Sequence, residues 1–211
     1  MATRFYLQST GDPGVAPAWS TDWDDTSIAS PEIRPCFTSK AGTALTEKSF
    51  TSGDGSNADA DYAFFMFVSP ELAAQSLPAQ TVTISISGSE TTSSNNQYLH
   101  WQVRVWRPDG TFQAVVPFRG DDTELPTTAA SRFDTLTSTA ATLLDGDRLV
   151  IEIGIGGDPA KTNDRHYGAF TVGDAAASDL DAADNDTGAD NPWVNFATTT
   201  LALRRRRVYT T

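Results

Sequence analysis

The sequence predicts an all-β protein: an antiparallel, jelly-roll-like β-sandwich of about nine or ten strands with extended termini. Three observations predict it. The chain of 211 residues holds 28 Thr and 18 Ser, and the branched Cβ of Thr suits pleated strands while Ser suits strand faces and turns. Several segments alternate apolar and polar residues with period two. Gly (15) and Pro (11) punctuate short segments, and Lys is confined to Lys40, Lys48 and Lys161, so no helical period runs along the chain.

The elements follow in order. Residues 4–8 and 33–39 read as strands. Residues 62–68, YAFFMFV, are apolar on both faces and predict a central strand, or one lying under a neighbouring chain. In residues 81–87, Val82, Ile84 and Ile86 face one way and Thr81, Thr83, Ser85 and Ser87 the other. In residues 99–106, Leu99, Trp101, Val103 and Val105 oppose His100, Gln102, Arg104 and Trp106, which predicts a wet face carrying an exposed Trp106. Arg107-Pro108-Asp109-Gly110 is a hairpin turn into a strand at 111–117. Asp145-Gly146-Asp147 introduces a strand over 148–155 whose Leu149, Ile151, Ile153 and Ile155 point inward and whose Glu152 points outward. Residues 167–172 and 193–200 complete the set. Single helical turns are compatible with residues 70–75 and 129–136.

The length suits one large domain, here residues 1–203 with an N-terminal arm over about 1–30 and a basic C-terminal tail at 204–211. Residues 11–25, 53–61 and 174–191 read as loops. Residues 1–203 carry 11 basic and 27 acidic side chains, a body of −16 against a tail of +4 at Arg204, Arg205, Arg206 and Arg207. The body repels nucleic acid and anionic lipid. The tail suits docking on an acidic surface, such as that of a neighbouring copy, or serves solubility alone. No apolar run of 18 residues occurs, and residues 1–7 lack the apolar core of a signal peptide, which predicts folding in a cytoplasm, whatever the final location.

Chemistry is sparsely signalled. A lone Cys, Cys36, forms no intrachain disulfide and no Cys-based zinc site. Only His100 and His166 could act as an imidazole base, and no Gly-x-Ser-x-Gly elbow accompanies them. The pairs Asp24-Asp25 and Asp121-Asp122 read as solvated loop acids. Gly154, Gly156 and Gly157 read as a strand end and turn, because no nucleotide-binding helix follows. Asp181, Asp184 and Asp186 are weak candidates for a hard cation: the loop holds oxygen ligands and Gly188 but lacks the third ligand and the closing Glu of a calcium loop. The expectation is therefore no catalytic residue, no cofactor and no enzyme. The interface candidates are Trp19, Trp23, Trp106, Arg204, Arg205, Arg206, Arg207 and Tyr209. Trp19 and Trp23 can equally clamp the N-terminal loop to the sandwich, and Trp106 can equally be covered by a loop of its own chain.

The opening ATRFYL at residues 2–7, Pro17-Ala18-Trp19 with Trp23, the strand GDRLVIEIG at 146–154, Gly173-Asp174 with Asp179-Leu180, and Asn191-Pro192-Trp193-Val194-Asn195-Phe196 occur in an order that resembles small β-sandwich proteins encoded among tailed-phage structural genes. The resemblance implies a non-enzymatic virion structural protein, foremost a capsid decoration (cement) protein on the outer surface of the head. Its partners would be the major capsid protein and copies of itself in a homo-oligomer, a trimer among the compatible states, with no nucleic acid or membrane. The alternative is a carbohydrate- or receptor-binding module of a tail or fibre, using Trp106 as a stacking platform.

Overall fold

The computed structural model describes residues 2–27, 30–51, 60–93, 96–156, 167–183 and 189–204. Thirteen strands and no helix occur among them: β1 (Thr3–Leu7), β2 (Glu32–Phe37), β3 (Thr46–Thr51), β4 (Tyr62–Val68), β5 (Gln75–Leu77), β6 (Thr81–Glu90), β7 (Tyr98–Trp106), β8 (Phe112–Glu124), β9 (Ala130–Thr137), β10 (Ala141–Leu143), β11 (Arg148–Gly156), β12 (Tyr167–Val172) and β13 (Trp193–Phe196). The all-β prediction holds, with more strands than expected. The single helical turns do not form. Residues 130–137 are instead a full strand on β6, in which Arg132 and Asp134 stand opposite Ile86 and Ile84. Charged side chains on the core-facing side of an edge strand hide that strand from an alternation test, and they also guard the edge against further pairing.

The ladder runs β3-β12-β6-β13-β1-β2-β4-β11-β7-β8, with β9 on the other side of β6. It folds into two layers at the β1–β2 contact, where only Tyr6↔Phe37 and Leu7↔Cys36 pair. One layer holds β3, β12, β6, β9, β13 and β1. The other holds β2, β4, β11, β7 and β8, and all its pairings are antiparallel except β2 with β4. β5 and β10 form a separate two-stranded ribbon. Because β1 is an interior strand of the ladder, the predicted arm over residues 1–30 is corrected: the chain enters the sandwich at Thr3 and leaves it only after Leu7.

The core lies between the layers. Phe5, Val82, Ile84, Ile86, Phe170, Val194 and Phe196 meet Phe65, Phe67, Leu99, Trp101, Val103, Leu149, Ile151 and Ile153, all buried. These are the apolar halves of the alternating segments, so burial of that stripe drives the two layers together. The two-faced apolar β4 is explained by its position. Phe65 and Phe67 join this core, while Met66 and Val68 enter a second, smaller apolar layer with Val150 on the outer side of the same sheet.

Candidate interaction site

That outer side is not wet. Residues 11–25 cross it as a strap. Val15, Trp19, Ile33, Trp106 and Phe112 are partly buried against Met66, Val68 and Val150. Beside this apolar strip lies a buried polar cluster centred on Glu152, whose carboxylate is fully enclosed. Glu152 Oε2 accepts from Trp23 Nε1 and from Gln102 Nε2, each at 2.8 Å. Glu152 Oε1 accepts from the Ser20 backbone N–H at 3.2 Å and from Arg104 Nη2. The same Arg104 nitrogen donates to Ala18 O at 2.7 Å, and the guanidinium stacks 3.9 Å from the Phe112 ring centre. Burial pushes the Glu152 carboxyl above its ordinary range, while Arg104 and the other donors pull it back.

The alternation of β7 and β11 predicts Glu152, Gln102 and Arg104 on a solvent-facing side; this is corrected, since all three are buried. Each needs partners, and the strap supplies a carbonyl, an amide and an indole to meet them. No sequence periodicity marks a loop that covers a sheet. The one usable signal is Trp23 itself, a large amphipathic ring in a polar loop, which asks for an apolar bed and a hydrogen-bond acceptor.

The far end of the strap is fixed by backbone pairing: Asp24 and Asp25 N–H both donate to Asp61 O, at 3.0 and 3.2 Å. The Asp61 side chain lies against His100, with Nδ1 2.7 Å from Oδ1. His100 lies in the space left by Gly120 and Gly156, where a Cβ would come within 2.1 and 2.2 Å of its ring. Phe118 makes T-shaped ring contacts with both His100 and Trp23. His100 is thus a packed, partnered side chain, and the two glycines are strand residues making room for it. Gly154 plays a similar role inside β11, where a Cβ would sit 1.9 Å from Tyr62 O and strike the Trp23 ring. The expected strand end at Gly154 is therefore corrected; β11 runs through Gly156. His166 and Gly157 lie outside the described residues.

Part of the opposite outer face is covered in the same way, by residues 174–183. Leu180 is buried, its carbonyl accepting from Trp193 Nε1 at 2.7 Å, and Asp181 O accepts from Ser85 Oγ at 2.9 Å. Two carboxylates pin this segment. Asp174 accepts from Gln8 Nε2 and Thr43 N at 2.9 and 2.6 Å, and from Ala41 N. Asp179 meets Arg4 and Lys40 at 2.6 and 2.8 Å and accepts from Tyr6 OH. Burial would raise both carboxyls, yet their hydrogen bonds and cations outweigh it and hold both below the ordinary carboxylate range. Ser85 and Ser87, expected on a wet face, are buried. Of the cation candidates, Asp181 is exposed and engages Ser85 through its backbone carbonyl. Asp184 and Asp186 lie outside the described residues.

The interface candidates separate accordingly. Trp23 is buried inside its own chain and leaves the set of surface candidates. Trp19 and Trp106 are partly buried on the second apolar layer. Arg204 is half-exposed and paired with the chain's own Glu71 and Asp145, at 3.0 and 3.1 Å. Its segment runs beside residues 71–73: Leu203 bridges Leu72, and Arg204 N donates to Glu71 O at 2.8 Å. Arg205, Arg206, Arg207 and Tyr209 lie outside the described residues.

No known protein family matches the chain, and no curated protein does. Among solved structures, two of a CocE/NonD family hydrolase from Staphylococcus aureus superpose on 94% and 93% of the chain, with TM-scores of 0.51 and 0.49 and 9% identity in both. The chain spans just over a third of that hydrolase, 36% and 37%. A structure of infectious bursal disease virus, Gt strain, aligns over 73% of the chain and 35% of its own, at a TM-score of 0.34 and 12% identity. The VP2 protein of the same virus aligns over 75% and 37%, at 0.31 and 13%; neither viral alignment reaches a shared fold. The hydrolase match overturns the expectation that the chain is not an enzyme. The same architecture forms part of a hydrolase chain, so this fold does not set the protein apart from enzymes.

Proposed function

We propose that this chain is a structural component of a tailed-phage virion, a decoration protein that holds the outer surface of the capsid and binds neighbouring copies through its basic tail. The observation that carries this reading is the charge division, a body of −16 over residues 1–203 followed by four consecutive arginines, with the first of them seated on a pair of carboxylates, Glu71 and Asp145. An arginine block on an acidic protein has an obvious counterpart in another acidic copy, and copies arrayed on a lattice gain by avidity. Support also comes from the sequence resemblance to phage structural β-sandwiches. The packing of Trp106 onto the Met66–Val68–Val150 layer takes up part of the ring that a sugar-stacking platform would need.

The test is co-sedimentation of the full chain, and of a chain lacking residues 204–211, with capsids of the parent phage at rising salt. The full chain is expected to decorate capsids in high stoichiometry, and the truncated chain to dissociate at lower salt. Equal occupancy and equal salt resistance would refute the role of the tail. Absence of binding by the full chain would refute the decoration reading.

A further inference from the structure

We draw no further inference here: the strongest candidate, the partly buried apolar strip of Trp19, Trp106 and Phe112 on the outer face of the sheet formed by β2, β4, β11, β7 and β8, carries nothing because nothing in the structure shows what covers it.

Discussion

Trp23 and Glu152, 129 residues apart in the chain, are joined by a 2.8 Å hydrogen bond from the indole N–H to the carboxylate, both side chains buried. This contact closes the N-terminal strap over one face of the sandwich. It also explains why a carboxylate stands in the middle of β11, between residues that face the core.

Glu152→Ala removes the acceptor shared by Ser20, Trp23, Gln102 and Arg104 and leaves a guanidinium buried without its counter-charge. Loss of one partner of such a pair costs about 3–5 kcal/mol. Urea denaturation should show that loss. Trp23→Phe, which keeps the ring but not the donor, should cost about 1.5–3 kcal/mol. A loss under about 1 kcal/mol in the alanine variant, the size of a single ordinary hydrogen bond, would mean that the cluster does not hold the strap.

Gly154→Ala tests the close approach of the strap and β4 to β11. The added methyl would meet Tyr62 O at 1.9 Å and the Trp23 ring at 2.7 Å, and the backbone contact has no flexible side chain to yield. Overpacking of this kind costs about 1–3 kcal/mol. Thermal unfolding should report a lower Tm, whereas Gly110→Ala at an exposed turn tip with no atom within 4 Å serves as the comparison for backbone strain alone.

Acid stability should depend on Asp174 and Asp179. Both carboxyls titrate below their unfolded values when folded. Their stabilisation is therefore present above about pH 4 and is lost as pH falls through the depressed folded values. Glu152 has the opposite sign: its folded pKa is raised, so its contribution is greatest below the ordinary glutamate value and declines as pH rises through the folded one. Melting curves from about pH 2 to about pH 7, spanning the carboxylate range, should show a steep acid limb that flattens in Asp174→Asn. An unchanged limb in that variant would remove Asp174 as its cause.

A chelator should leave the melting temperature unchanged, because the carboxylates pinning residues 174–183 are met by protein donors and cations: Asp174 by Gln8, Ala41 and Thr43, and Asp179 by Arg4 and Lys40. A fall of several degrees, reversed by calcium, would point to a cation held by this loop.

Legibility in the sequence depends on which forces leave a periodic trace. Val82, Ile84 and Ile86, or Leu149, Ile151 and Ile153, announce a buried face through spacing alone. The other side of those strands shows only that Ser85, Gln102, Arg104 and Glu152 are polar. Polarity fits both water and a covering loop that supplies hydrogen bonds. β9 escapes the alternation pattern for a related reason, since Arg132 and Asp134 occupy positions that apolar residues usually fill.

A sandwich of many strands, the central apolar strand β4, and the division between an acidic body and the arginines at 204–207 are legible in the residues alone. The folded chain adds that loops lie over part of each outer face, that Glu152 and Arg104 lie inside, and that His100 is packed against two glycines. The reason is physical: burial of an apolar stripe is a local property of alternating residues, whereas satisfaction of a buried charge requires partners from distant segments, and only the folded chain brings those together.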